Sequence, residues 1–461
     1  MDASETGRAL RVLHAIHDFL PRHRAGSEIY AAQLCKALAP RHHVTIVCAD
    51  YDPVRAHGQL TWRLHDDVPV VEIANNWVCA TFEDTYRSPL MSARLEQVLD
   101  IVQPQVVHAH NLLNLSFDLP AAARARGIPV VATLHDYTLV CASGGQRLHR
   151  AESHVCRTID TSRCARCFVE SPFYTQAAVG PVAAAVAGSG LLQRAVTSAR
   201  NTSPALFDAA ARAMADARRF PVSDADMKER LAQARRVFDE VTLFVAPSRS
   251  IANEFIALGL DRSRVLVSDY GFPRVTRPTR AAAGARLRIG FVGTLAWHKG
   301  AHVLLDALRR LSGDKYELQI HGDVKVFPDY VADLRRRAQG MPVRFMGRFD
   351  EAQAMAAYGG FDVLVVPSLW LENSPLVIHE AFQAGVPVVG SRIGGTADLV
   401  TDGVNGRLYD PASPAELAAI LSSLLDNPAQ LKAWAAALPA VKTIEEDARA
   451  WERTYQEVIA D

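Results

Sequence analysis

The feature that most restricts how this chain can fold is a repeated alternation of short apolar runs with amphipathic helix patterns. R-V-L-H-A-I-H, H-V-T-I-V-C-A-D, Q-V-V-H-A-H and I-P-V-V-A-T-L-H-D read as strands. Between them G-S-E-I-Y-A-A-Q-L-C-K-A-L, with Ile29, Leu34 and Leu38 apolar, L-E-Q-V-L-D-I-V and L-P-A-A-A-R-A-R-G read as helices, the last ended by Gly127. Strands that are apolar along their whole length are buried on both faces, which calls for a parallel sheet between two helical layers. The rhythm breaks over about 137–240, an insertion with an Ala/Arg-rich helical stretch, and V-T-L-F-V-A-P-S resumes it. It restarts after F-P-R-V-T-R-P-T-R-A-A-A-G-A-R at 272–286, a Pro/Arg-rich stretch that reads as a linker. The expected class is therefore α/β, with two doubly wound, Rossmann-like parallel-sheet domains. The expected divisions are 1–275, 276–440 and a final helical segment 441–461. Such sheets bind ligands beyond the carboxyl ends of their strands, and the cleft between two of them is the default site.

Composition narrows the partners. The chain has 461 residues, is 49% hydrophobic and carries zero formal net charge, so no global basic field favours nucleic acid. M-D-A-S-E-T-G-R does not read as a signal peptide, and seven cysteines, an odd number, fit a reducing compartment. A cytoplasmic location is expected. The run A-A-V-G-P-V-A-A-A-V-A-G-S-G-L-L, 177–192, is shorter than the roughly 20 apolar residues of a membrane span. It reads as a buried or surface-packed segment; the sharper alternative is peripheral membrane contact beside a lipid-linked substrate.

Three loops at strand ends carry candidate chemistry. Gly26 and Ser27 open a helix, where free backbone N–H groups suit an anion or simply form an ordinary cap. The loop is not G-x-G-x-x-G, so nicotinamide dinucleotides gain no support. In G-T-L-A-W-H-K-G, Lys299 lies between two glycines at the entrance of a helix, a poor place for a cation unless an anion offsets it. In W-L-E-N-S-P-L-V-I-H-E-A-F-Q-A-G, Ser374 reads as an N-cap and Pro375 as the first helical residue, with Gly385 as the stop. Glu372 precedes that helix, and Glu380 lies about 7.5 Å further along its axis than Pro375. The amides of Asn373 to Leu376 fall between two acids with no evident partner. That arrangement suits an anionic centre with hydroxylated ends, as in a nucleotide sugar; for Glu380 alone, a helix-surface acid is the plain alternative.

Glu372, seven residues, then Glu380 resembles the signature of retaining glycosyltransferases of the GT-B fold, notably glycosyltransferase family 4. G-T-L-A-W-H-K-G, V-R-F-M-G, V-V-P-S-L-W-L-E-N-S-P-L-V-I-H-E-A, G-V-P-V-V-G-S and G-G-T-A-D-L-V-T-D-G-V-N-G are similar to that family in order and spacing. A-G-S-E-I-Y-A-A-Q-L, V-V-H-A-H and T-L-H-D in the first half are similar more loosely. The resemblance implies two domains facing across a cleft and a final helix that packs back on the first. It implies that Lys299 neutralises a donor diphosphate and Glu380 holds the ribose. Glu372, with the amides of Asn373, Ser374 and Leu376, would address sugar and phosphates. Gly347 and Arg348 would lie near the base, Gly26 would approach the phosphates, and His135 would sit by the reacting sugar carbon. A strand-end histidine bonded to backbone is the bland alternative for His135. Thr294 stands where the family usually has arginine, so Lys299 and helix amides act alone or Arg249 or Arg348 reaches in.

The implied chemistry is sugar transfer with retention to a hydroxyl acceptor, a surface glycan, a lipid-linked saccharide or a small glycoside. Attack comes from the leaving-group face, and the departing phosphate takes the acceptor proton. Charge grows on the diphosphate in an oxocarbenium-like transition state, and preorganised donors stabilise it. No Asp-x-Asp stands at a strand end, which fits chemistry without a catalytic metal or other cofactor. The alternatives are a nucleotide-sugar epimerase of the same fold and a non-catalytic nucleotide-sugar-binding protein.

Four cysteines cluster: Cys141, Cys156, Cys164 and Cys167, the last two in C-A-R-C. They read as a structural zinc set, with His149 or His154 able to replace one sulfur, or as free thiols or a redox pair.

Overall fold

The computed structural model describes residues 8–187, 194–195, 198–199, 202–217, 220–279, 286–411 and 413–460. Two compact units emerge. Met1–Ala246, Phe255–Ser268 and Glu445–Asp461 form the first; Pro247–Glu254 and Asp269–Ile444 form the second.

The first unit holds an eight-stranded sheet. Its strands are β1 (Arg11–Ile16), β2 (His43–Asp50), β3 (Leu60–His65), β4 (Val68–Ala74), β5 (Val106–Ala109) and β6 (Val130–Thr133), joined later by β9 (Leu243–Ala246) and β10 (Val265–Val267). The order is β10-β9-β6-β5-β1-β2-β4-β3. All pairs are parallel except β3 with β4. That hairpin edge has half-exposed side chains and lacks the apolar run that marks the other strands. Between β6 and β9 lie a small hairpin, β7 (Leu148–His149) with β8 (His154–Val155), and helices. The apolar stretch 177–192 falls largely in the helix Pro172–Ala187; residues 188–192 lie outside the described residues. Among the described residues, no helix is long and apolar enough to cross a membrane.

The second unit holds six parallel strands: β11 (Leu287–Val292), β12 (Tyr316–His321), β13 (Val343–Gly347), β14 (Val363–Val366), β15 (Val388–Ser391) and β16 (Gly406–Tyr409). Their order is β13-β12-β11-β14-β15-β16. The period of two along a strand feeds two cores. Val363 and Val365 pack with Leu304, Leu318 and Leu421 on one face. Leu364 and Val366 pack with Ile378, Phe382 and Tyr358 on the other. Each fully buried side chain of this size contributes about 1.5–3 kcal/mol. Successive connections depart in opposite directions from the β11/β14 pair here and from the β1/β5 pair in the first unit. Each such reversal opens a crevice at the strands' carboxyl ends.

The last helix, Ile444–Ala460, belongs from Glu445 onward to the first unit. Asp447, Trp451 and Tyr455 recur every four residues on one buried face. Tyr30 donates to Asp447 Oδ2 (2.8 Å), and Trp451 Nε1–H donates to Tyr30 Oη (2.9 Å).

Candidate functional site

In the second unit the loops after β11 and β14 meet at the reversal of strand order. Lys299 ends a single 3-10 turn, Trp297–Lys299, rather than opening the helix itself. Gly300 caps the helix Ala301–Leu308 in a left-handed conformation, φ +73°. A Cβ at Gly300 would collide with the Pro367 carbonyl, so glycine is what lets the two loops touch. The contact has a consequence for the acids. Lys299 Nζ lies 2.6 Å from Glu372 Oε1 and 5.0 Å from the Trp370 ring centroid. Ser368 Oγ donates to the same carboxylate oxygen at 2.7 Å. Glu372 is 7% exposed and Lys299 26%, so the cation forms the open side of the pair.

Ser374 is not the cap that the local sequence suggests. The helix spans Leu376–Gln383 with Pro375 at the cap position and no side-chain cap bond. Ser374 Oγ instead donates to Asp269 Oδ1 at 2.8 Å and lies 2.9 Å from His379 Nε2. Asn373 Nδ2 donates to Tyr270 Oη at 3.0 Å. Both side chains are drawn to Asp269 and Tyr270, and the helix start carries no side-chain cap bond; the Ile378 amide donates to the Pro375 carbonyl at 3.0 Å. Gly395 N–H donates to the Glu372 carbonyl at 2.7 Å, fixing the acid's backbone.

Glu380 has a partner that the sequence conceals: Tyr358 Oη donates to its Oε2 at 2.5 Å. Burial, then the Glu380 charge, push the Tyr358 phenol well above its ordinary pKa, so it stays a donor. Gly347 ends β13 with φ +77°, and Arg348 is largely exposed, 4.0 Å from Asp323. Thr294 and Arg249 are exposed.

The first unit builds a different kind of site. Register pairs His14 of β1 with His108 of β5. His14 Nδ1 lies 2.9 Å from His110 Nε2, and His110 Nδ1 lies 2.9 Å from His135 Nε2. His108 lies 2.7 Å from Tyr455 Oη and 2.8 Å from Thr133 Oγ1. Burial drives His14, His108, His110 and His135 all well below the ordinary histidine pKa, so the rings are neutral. Beside His135, a cavity of about 30 Å³ is lined in part by His110, Asn111, Asp136 and Phe244. It has room for a water, not a sugar.

Gly26 is the first residue of the helix Gly26–Leu38, but a protein acid already serves that end. Glu28, fully buried, accepts from Ala25 N–H at 3.0 Å through Oε2; its Oε1 lies 3.1 Å from both His17 Nε2 and His23 Nδ1. Burial would raise the Glu28 carboxyl, yet the His23 bond and the charge of His17 hold it at about 2. Among the described residues, two groups bring three metal-capable atoms within 4.8 Å: His14, His108 and His110, and His17, Asp18 and His23. The four clustered cysteines are joined by no disulfide and form no such group.

Residues 24–180 match the family model described as Glycosyltransferase Family 4, and residues 286–427 match the one described as Glycosyl transferases group 1. Together the two matches span more than half of the 461 residues. The chain belongs to glycosyltransferase family 4. Its two parallel-sheet units are of the GT-B type. A glycogen synthase of Mycobacterium tuberculosis is 32% identical over 194 residues, 41% of this chain and 44% of that protein. A D-inositol 3-phosphate glycosyltransferase of Corynebacterium kroppenstedtii is 31% identical over 186 residues, 38% of this chain and 41% of that protein. The matched segment thus spans less than half the length of these curated relatives. Two solved structures share the fold. Anabaena HepE, solved with UDP and glucose, gives a TM-score of 0.61 at 16% identity, covering 96% of this chain and 99% of that one. Sucrose-phosphate synthase of Thermosynechococcus elongatus gives 0.64 at 15%, covering 97% and 99%.

Proposed function

We propose that this family 4 chain transfers a sugar from a nucleoside-diphosphate sugar to a hydroxyl acceptor, with retention. The observation that carries the proposal is the half-open Lys299–Glu372 pair beside the start of the helix Leu376–Gln383, which has no side-chain cap bond. A diphosphate placed there gains an ammonium and a helix N-terminus. Both act more strongly as the leaving group takes on charge, which is where stabilisation accelerates transfer. Lys299 is already shared with Glu372, so a diphosphate draws the ammonium off the carboxylate and releases Glu372 toward sugar hydroxyls. Thr294 supplies no second cation, which places the electrostatic burden on Lys299. Glu380, oriented by Tyr358, takes the ribose diol, with Gly347 and Arg348 toward the base. The UDP bound by HepE favours a uridine donor as the first to try.

His135 serves the reacting sugar in this reading; the helix end at Gly26 is already served by Glu28, which leaves it out of phosphate binding. A chain of neutral imidazoles must donate in one direction. Among the described residues His14 Nε2 is buried without a hydrogen-bond partner, and a bare lone pair there costs less than a stranded N–H. His14 therefore donates to His110 and His110 to His135 Nε2, which leaves the proton of His135 on Nδ1.

Product analysis tests the proposal. The protein is incubated with a panel of nucleoside-diphosphate sugars and hydroxyl acceptors, and anomeric configuration is read by NMR. A new glycoside of the donor's configuration, abolished by Glu380→Ala, is expected. Donor epimerisation, or donor binding without turnover across the panel, overturns it.

A further inference from the structure

The four cysteines occupy a knot that follows β6 and its His135. Cys141 N–H donates to the Tyr137 carbonyl (2.8 Å), and Tyr137 N–H donates to the Gly145 carbonyl (2.9 Å), closing a loop that leads into β7. β7 and β8 pair over only two rungs. Cys156 N–H adds one more, donating to the Arg147 carbonyl at 2.8 Å. The helix Thr161–Val169 follows, started by Asp160, whose carboxylate accepts from Arg163 N–H at 3.1 Å. It sets Cys164 and Cys167 one turn apart on one face. Cys167 Sγ lies 3.6 Å from the Leu148 carbonyl, docking the helix on the hairpin.

A hairpin with two-residue strands does not hold itself together in water. From 141 to 168, Leu148, Ala165 and Phe168 are the buried apolar side chains, too few for a core. Yet the sulfurs share one neighbourhood: each of the four acts electrostatically on the other three, although no three of them lie within 4.8 Å of one another. Arginines surround them. Arg147 and Arg163 neighbour Cys156, Arg150 neighbours Cys141 and Cys167, and Arg230 neighbours Cys141 and Cys164. Arg230 is itself buried and held by the Thr138 and Leu139 carbonyls at 2.5 and 3.0 Å. Four thiols need no cations; a dication held by four thiolates has net charge −2 and does. His149 Nε2 is engaged by Glu170 at 2.7 Å, its Nδ1 lies 3.4 Å from Glu152, and His154 is exposed; the four sulfurs make a complete tetrahedral set without either histidine.

We propose that Cys141, Cys156, Cys164 and Cys167 bind one structural Zn²⁺ as a tetrathiolate, with this arginine collar balancing its charge. Binding forms four Zn–S bonds and releases one proton from each thiol. The metal draws the sulfurs in to about 3.8 Å from one another, the edge of a tetrahedron with Zn–S of about 2.3 Å. It thereby staples the knot that continues from the loop after β6, the loop that carries His135.

The test is metal content of the full chain purified without chelator, read by mass spectrometry of the elements. About one zinc per chain is expected. Exchange for Co²⁺ should give sulfur-to-cobalt charge transfer and the strong visible bands of a tetrahedral thiolate site. Cys164→Ser should lose the metal, and Cys79→Ser should keep it. If Cys164→Ser fails to fold, the wild-type chain still decides. Four freely alkylated thiols or two disulfides in metal-free protein, with no cobalt spectrum on addition of Co²⁺, overturn the proposal. The readout is independent of sugar transfer, so the two proposals fail separately.

Discussion

The two units solve the same topological problem with opposite electrostatics. Where strand order reverses in the second unit, the chain places a half-open ion pair, Lys299 with Glu372, ready to be rearranged by a charged ligand. Where it reverses in the first, it places neutral, desolvated imidazoles, His14, His108 and His110, locked to each other and to Tyr455. The first arrangement stores exchangeable charge; the second stores orientation. The difference teaches that a crevice at a reversal point does not dictate its chemistry. The side chains at two or three strand ends do.

Acid should break the comparison most visibly. The buried histidines have folded pKa values below their unfolded ones, so below about pH 6.5 the unfolded chain binds more protons than the folded one. Stability is therefore complete above that pH and is lost as pH falls toward the folded values, about 3 for His14. His14 alone costs about 1 kcal/mol per pH unit across that window, and His108 and His110 act in the same direction. Asp18, raised by burial to about 7, and Asp136, raised by burial to about 6, act in the opposite direction over the same window and offset part of the loss. Urea titrations at pH 7 and pH 5 should show a net loss of stability in the first unit. Equal losses in both units would contradict the contrast.

Lys299→Ala comes next. It should lower kcat/KM by about 10²–10³, or 3–4 kcal/mol, with little change in unfolding midpoint. A variant that turns over normally, or one that unfolds instead, would remove the charge-exchange reading. Tyr455→Phe probes the other side: His108 loses its 2.7 Å partner, which should cost about 1–2 kcal/mol of first-unit stability. Chemical denaturation measures it, and an unchanged midpoint would count against a locked histidine layer. The smallest effect belongs to Tyr358→Phe. Without its donor, Glu380 is less well oriented, and KM for the donor should rise about threefold, near 0.6 kcal/mol, with kcat intact. A large fall in kcat would show that Tyr358 does more than hold the acid.

Much of the fold was readable because its signals are local. Continuous apolar strands between amphipathic helices announce parallel sheets, whereas β3, half-exposed along an edge, has no comparable run to announce it. The spacing of Glu372 and Glu380 was readable because only eight positions, a short loop and the first turn of a helix, separate them. Their partners were not: Lys299 lies 73 residues before Glu372, and Tyr358 lies 22 before Glu380. Ser374 misled for a related reason, since a distant carboxylate, Asp269, outcompeted the helix end for its hydroxyl.

The residues alone determined the class of sheet, the places where loops leave it, and the residue types available at those loops, because period and propensity act over a few neighbours. Only the folded chain decided that Lys299 faces Glu372, that His14 lies beside His108, and that Tyr455 returns from the far end to meet them. Those pairings depend on strand register and on packing between elements distant in sequence, which no local pattern encodes.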